Sequence, residues 1–171
     1  RLRLISVATG FVVANTGVPL QTVTGDLNGD GKPDLVAGNY NDVSALSLFN
    51  NTSTSGNISF GAEILLTGAG GNFRPAIHDF DADGKPDIVA IGQSNAAAYR
   101  NIGMAGSISF APRTDFVVPG TPAGIAAADL DADDKPDLVI VNNEGLQGLV
   151  SFYKNTSTPG NILFSSVFDS T

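Results

Sequence analysis

The chain has 171 residues, 42% of them hydrophobic, which suits one folded domain rather than a disordered chain. It has no cysteine and one histidine, which excludes disulfides, thiolate metal sites and multi-histidine metal centres. The formal charge of −8 argues against nucleic acid as a partner, and no apolar stretch is long enough to predict membrane insertion. Only Glu63 and Glu144 of the 17 acidic residues are glutamate, so aspartate-rich loops are expected.

The first predicted element is a strand, Ile5–Val13, within residues 1–20, a segment that differs from the rest of the chain. Its end, Phe11-Val-Val13, matches Phe116-Val-Val118 in a later segment. We therefore expect residues 1–20 to supply the outer strand of a preceding structural unit and its connection. The chain begins with Arg1, and we expect it to be a piece of a longer protein.

A nine-residue aspartate motif then occurs three times, at spacings of 53 and 50 residues: Asp26–Asp34, Asp79–Asp87 and Asp129–Asp137. Each copy precedes an aromatic-x-Asn triplet and a Gly-x-Ile-x-Phe segment. The triplets are Phe49–Asn51, Tyr99–Asn101 and Tyr153–Asn155, and the segments are Gly56–Phe60, Gly106–Phe110 and Gly160–Phe164. Three motifs in one order, three times over, indicate a repeat architecture.

Each repeat predicts four short strands separated by Gly, Pro, Asn and Asp. The predicted strands are Gln21–Gly25, Leu35–Ala37, Ala45–Phe49 and Ile58–Leu66; then Ala76–His78, Ile88–Ile91, Ala96–Tyr99 and Ile108–Val118; then Gly124–Ala128, Leu138–Val141, Leu149–Tyr153 and Ile162–Phe168. About 50 residues holding four antiparallel strands match one blade of a β-propeller.

The sequence therefore predicts an all-β fold, with residues 1–171 forming one β-propeller segment of three blades plus the extra N-terminal strand. The predicted blades span residues 21–66, 67–118 and 119–171. Three blades make a partial propeller, or a ring that is completed by oligomerisation.

Oxygen atoms at positions one, three, five and nine of each motif converge if the loop curls, and the carbonyl of position seven completes the set. Hard oxygen donors without nitrogen or sulfur favour Ca²⁺, so about three ions are predicted, one per repeat. The candidate ligands are Asp26, Asn28, Asp30, Lys32 and Asp34; Asp79, Asp81, Asp83, Lys85 and Asp87; and Asp129, Asp131, Asp133, Lys135 and Asp137.

Position six requires a sharp turn, for which Gly31 and Gly84 are suited by their access to positive φ. Asp134 stands there in the third motif, so the third site is expected to be the weakest. The first site carries one charge fewer because Asn28 replaces aspartate. The alternative is a set of aspartate-rich turns that bind no ion, but three copies in the same strand–loop–strand context argue against it.

On these motifs the chain resembles the FG-GAP/VCBS-type repeats of integrin-α-like β-propellers. The resemblance covers essentially the whole chain and implies Ca²⁺ in the hairpin between the first two strands of each blade. It also implies extracellular proteins that serve in adhesion, carbohydrate binding or as appendages of secreted enzymes. The chain departs from that pattern in blade number, since three blades cannot close a ring.

The function expected from these observations is a non-enzymatic, calcium-stabilised module of a secreted or cell-surface protein, for adhesion or ligand presentation. The alternative is a carbohydrate-binding module of a polysaccharide-active enzyme. The partner is an unknown protein or glycan, and a homo-oligomer that completes the ring is possible. A hydrolase of the Ser-His-Asp type would need His78, for which a packed or loop-facing position is the simpler expectation.

Overall fold

The computed structural model describes residues 15, 17–40, 44–67, 73–93, 95–144 and 147–167. These residues form twelve β-strands, and none of them lies in a helix that could span a membrane. The strands are β1 (Val18–Gly25), β2 (Asp34–Tyr40), β3 (Ser44–Asn51), β4 (Phe60–Thr67), β5 (Arg74–His78), β6 (Asp87–Ile91), β7 (Asn95–Tyr99), β8 (Thr114–Val117), β9 (Pro122–Ala128), β10 (Asp137–Glu144), β11 (Gln147–Asn155) and β12 (Phe164–Val167).

The strands form three four-stranded sheets, and within each sheet consecutive strands pair antiparallel. We call the sheets blade 1 (β1–β4), blade 2 (β5–β8) and blade 3 (β9–β12). The predicted all-β class and the four-stranded antiparallel blades are confirmed, and the described part of the chain forms a partial propeller without a closed barrel. The predicted extra strand Ile5–Val13 lies outside the described residues.

The fourth strand of each blade begins later than the sequence predicts. In blade 2 the predicted strand Ile108–Val118 is reduced to β8, Thr114–Val117. The residues before β8 instead fold back on the chain ahead of Gly106, because the Ile102 N–H donates to the Ser109 carbonyl at 2.9 Å and Met104 pairs with Ser107. The same tight turn occurs in the other blades, where the isolated antiparallel bridges are Thr54–Asn57 and Thr158–Asn161.

Blade 2 lies between the other two blades, and β6 shows how the core is divided. All of its residues are buried. Side chains alternate between the two faces of a strand, and accordingly Ile88 and Ala90 pack in a cluster with blade 1, whereas Val89 and Ile91 pack in a cluster with blade 3. The central strand of blade 2 therefore contributes one apolar face to each neighbouring blade.

The first strands of the blades lie side by side, since β5 contacts both β1 and β9. Blades 1 and 2 approach closely at Gly38, where a Cβ atom would overlap the Phe73 carbonyl. The aspartate motifs directly follow these first strands. This arrangement places the motif loops of neighbouring blades at the same end of the structure.

Candidate metal centres

We name the motif loops loop one (residues 26–34), loop two (79–87) and loop three (129–137). The first aspartate closes each loop by accepting backbone hydrogen bonds. In loop two, Asp79 Oδ1 accepts the Asp83 N–H at 3.1 Å, and its Oδ2 accepts the Gly84 N–H at 2.8 Å. The equivalent bonds join Asp26 to Asp30 and Gly31, and Asp129 to Asp133 and Asp134. All three loops are thus curled in the way the motif predicts.

The third and fifth positions make short-range turns inside the loops. Asp81 Oδ1 accepts the Asp83 N–H at 3.2 Å, and Asp83 Oδ1 accepts the Lys85 N–H at 3.0 Å. Loop one repeats this pattern, with Asn28 and Asp30 as the acceptors and Asp30 and Lys32 as the donors. In loop three Asp133 accepts the Lys135 N–H at 3.0 Å.

Position six has positive φ in every loop, with values of 82° at Gly31, 86° at Gly84 and 64° at Asp134. The left-handed turn predicted there is present even where glycine is missing. A second such position, the fourth, was not predicted from the sequence. Gly29, Ala82 and Ala132 have φ of 70°, 59° and 65°. The glycine at position 29 was the only signal of this second turn.

The ninth aspartate ties the loop to the chain at the end of the third strand of its blade. Asp87 Oδ2 accepts the Phe80 N–H at 3.0 Å, and its Oδ1 accepts the Asn101 N–H at 2.7 Å. The aromatic-x-Asn triplet is therefore part of the site, a role that its recurrence did not reveal. The other two loops have the same pairs of bonds: Asp34 with Leu27 and Asn51, and Asp137 with Leu130 and Asn155.

The same asparagines also connect neighbouring blades. Asn101 Nδ2 donates to the Leu27 carbonyl of loop one at 2.8 Å, and Asn155 Nδ2 donates to the Phe80 carbonyl of loop two at 2.9 Å. Loop two receives a further bond from blade 3, because the Gly160 N–H donates to Asp81 Oδ2 at 2.7 Å. Each of these two loops is therefore held by the blade that follows it.

Two groups of three carboxylates converge among the described residues. Asp79, Asp81 and Asp87 offer oxygen atoms that all lie within 4.8 Å of one another, and Asp129, Asp131 and Asp137 do the same. Position five does not belong to either group. In loop one Asn28 stands between Asp26 and Asp34, so an amide oxygen replaces the third carboxylate. The ligand roles of all these residues stay predictions, including those of the fifth carboxylates and of the Lys32, Lys85 and Lys135 carbonyls.

Two buried carboxyl groups have raised pKa values. Burial raises the pKa of Asp87 from 3.8 to about 6, against the lowering effect of its backbone hydrogen bonds, and the nearby charges of Asp81 and Asp83 raise it further. Burial likewise raises the pKa of Asp34, to which Asp30 and Asp26 add. A cation bound at these positions would remove much of the penalty on the ionised form, so the donor chemistry of loops one and two fits a metal ion.

Loop three differs because a lysine from β11 lies against it. Lys154 Nζ contacts Asp131 Oδ2 and lies 3.1 Å from Asp133 Oδ2. The hydrogen bond from Lys154 lowers the pKa of Asp133. The pKa of Lys154 is raised, most by its hydrogen bond to Asp131 and next by its hydrogen bond to Asp133. The equivalent residues in the other triplets are Asn50 and Arg100. Asn50 Oδ1 accepts a hydrogen bond from Asn28 Nδ2 at 2.8 Å.

His78 lies at the end of β5 and is exposed, with its ring 6.1 Å from that of Phe80. It pairs with Asp87 across the β5–β6 ladder. This position beside a motif loop agrees with the loop-facing histidine expected from the sequence.

The comparisons with known proteins agree with these observations. A model of the FG-GAP-like repeat matches residues 26–90 and again residues 79–140, so each match includes two consecutive loops. No curated protein and no solved structure matches the chain. The two matches together cover more than half of the sequence. The chain therefore belongs to the FG-GAP-like repeat family.

Proposed function

We propose that this β-propeller-like module is non-enzymatic and that its loops bind Ca²⁺ as a structural ion. The observation that carries the proposal is the carboxylate group of loop two, in which Asp81 is 1% exposed and Asp87 is fully buried. Ionised carboxylates that are buried within 4.8 Å of one another repel strongly and have lost their hydration. A divalent cation offsets both costs.

The donor set favours calcium over other ions. All candidate ligands are carboxylate, amide or carbonyl oxygens, which suits a hard cation, and the loop offers more donors than Mg²⁺ takes from a protein. The loop also belongs to a hairpin between two strands. An ion bound there would fasten the first strand of a blade to the second and, through Asn101 and Asn155, to the neighbouring blade.

Thermal unfolding tests this proposal directly. Addition of Ca²⁺ to chelator-treated protein should raise the melting temperature, and Mg²⁺ at the same concentration should raise it less. Asp87→Asn should reduce the calcium response because Asp87 belongs to the buried carboxylate group. Asp115→Asn is a matched control, since Asp115 is an exposed residue of β8 that is paired with Arg113. A melting temperature that is the same with chelator and with calcium would contradict the structural role.

We also propose that the protein is located outside the cell. Extracellular Ca²⁺ is millimolar, a concentration that fills sites with dissociation constants of about 10⁻⁴–10⁻³ M.

For the biological role we propose adhesion or ligand presentation, with a protein or glycan as partner. Binding of the calcium-loaded module to cells, with and without enzymatic removal of surface glycans, separates these partners. A module that binds neither would contradict the adhesive role.

We also propose that the outer face of blade 3 binds blade 1 of a second copy. Val141, Val150 and Phe152 are 38–44% exposed on this face. Their equivalents in blade 2, Ile91, Ala96 and Ala98, are buried in the cluster shared with blade 3. The face is therefore the one that blade 2 uses to bind its successor. Light scattering should show concentration-dependent association that Phe152→Asp abolishes, and a strict monomer would contradict it.

A further inference from the structure

We propose that in loop three the Lys154 ammonium takes the place of a metal ion, so that the protein has two tight calcium sites rather than three. The inference rests on the proposed calcium binding by loops one and two. It assigns to Lys154 the role of a built-in counter-ion that closes the third loop without metal.

The contacts of Lys154 carry the argument. Its Nζ lies between carboxylate oxygens of the third and fifth positions of loop three, Asp131 and Asp133. Both oxygens belong to residues that the motif presents as cation ligands. Lys154 is the second residue of its triplet, and this is the position from which Asn50 reaches Asn28 in loop one. The backbone therefore brings this side chain to the third position of the loop in two different blades.

The surroundings of loop three explain why one ammonium is enough. Asp129, Asp131 and Asp133 are exposed, in contrast to Asp81 in loop two. Carboxylates in contact with water repel one another weakly because the dielectric constant is high and salt screens the charges. The divalent charge that buried loop two requires is therefore less necessary in loop three.

A calcium ion at loop three would also meet more competition. It would have to displace the ammonium from Asp131 and Asp133, which loses two charge-assisted hydrogen bonds. This competition lowers the affinity of loop three relative to loops one and two.

Calorimetric titration of chelator-treated protein with Ca²⁺ alone tests the inference. The native chain should show two tight sites. Lys154→Met should gain a third site, with affinity at loop three increased by roughly tenfold, the scale of two exposed ion pairs. Lys154→Arg keeps the charge and should keep two sites. Arg100→Met is the matched control, because it removes an equal charge from the same triplet position in blade 2, and among the described residues Arg100 forms no ion pair.

The outcomes separate this inference from the proposed function. Three equal sites in the native chain, or an unchanged site count in Lys154→Met, would overturn the inference while leaving calcium binding intact. Absence of any calcium binding would overturn the proposed function. In that case thermal unfolding in chelator still decides the role of Lys154. Lys154→Met should lower the melting temperature more than Arg100→Met, and equal values would overturn the counter-ion role.

Discussion

Loop two and loop three share the sequence Asp-x-Asp-Ala-Asp-x-Lys-Pro-Asp, yet their aspartates lie in different environments. Asp81 is 1% exposed and accepts a hydrogen bond from Gly160 of blade 3, whereas the side chain of Asp131 is 44% exposed and pairs with Lys154. The residue after the first aspartate differs as well, since Phe80 is 1% exposed and Leu130 is 51% exposed. The difference arises because blade 3 covers loop two, while no described blade covers loop three.

This comparison shows that the motif specifies the curl of the loop but not its electrostatic character. The backbone bonds that the first and ninth aspartates accept in loop two recur in loop three, where Asp129 also accepts the Ala132 N–H. The cost of the negative charge depends instead on the neighbouring blade, which removes water from one loop and leaves the other in contact with solvent.

The largest expected difference between the loops concerns the third aspartate. In calcium, Asp81→Ala should reduce the free energy of unfolding by about 2–3 kcal/mol, because a buried charged acceptor and its Gly160 bond are lost. Asp131→Ala should cost less than about 1 kcal/mol, since its partner is an exposed ion pair. Urea denaturation measures both values. Equal losses would mean that burial by blade 3 does not distinguish the loops.

The next largest effect concerns the pH dependence of stability at loop two, which should have opposite signs in the metal-free and the calcium-loaded protein. In the metal-free protein the pKa of Asp87 is about 6, above its ordinary 3.8, so the folded state holds the proton more tightly than the unfolded state. This contribution to stability is present below pH 4 and is lost as the pH rises through about 6. Bound Ca²⁺ favours the ionised form, so in calcium the stability contributed by this site should instead rise over the same range.

Melting temperatures at pH 4 and pH 7, with chelator and with calcium, test this prediction. Asp87→Asn cannot titrate and should lose most of the pH response that is specific to the metal-free protein. A metal-free protein whose stability rises between pH 4 and pH 7 to the same extent as the calcium-loaded protein would contradict the role assigned to Asp87.

The smallest expected difference concerns the sixth position, where the residues of the two loops can be exchanged. Asp134→Gly should stabilise the protein by about 0.5–1 kcal/mol, because glycine adopts positive φ without strain. Gly84→Asp should destabilise it by a similar amount. A Cβ at Gly84 would meet no atom within 4 Å, so steric overlap would not contribute. Opposite shifts in melting temperature are expected, and shifts of the same sign would contradict the strain argument.

Local patterns were the part of the structure that could be predicted well. The strand–loop–strand order of each repeat, the aspartate loops and the positive φ of Gly31 and Gly84 follow from residues that are close in sequence. The starts of the fourth strands could not be predicted in this way. The segment Ile108–Val118 has the composition of a strand, but its first residues pair with the chain just before Gly106.

The candidate site was predicted in composition but not in its connections. The sequence indicated which carboxylates belong to each loop, and two of the three groups do converge. It did not indicate that Asn101 and Asn155 would bridge to loops 74 and 75 residues away. Such contacts depend on how one blade lies against the next, for which no local pattern carries a signal.

The sequence by itself determined the repeat, the β class, the family and the donor chemistry of the loops, because these depend on periodicity and on side chains a few residues apart. Only the tertiary structure decided which aspartates are buried and which exposed aspartates are paired with an ammonium group. Burial by a neighbouring blade and the reach of Lys154 from β11 are properties of packing. Through them, nearly identical motifs acquire different electrostatic environments.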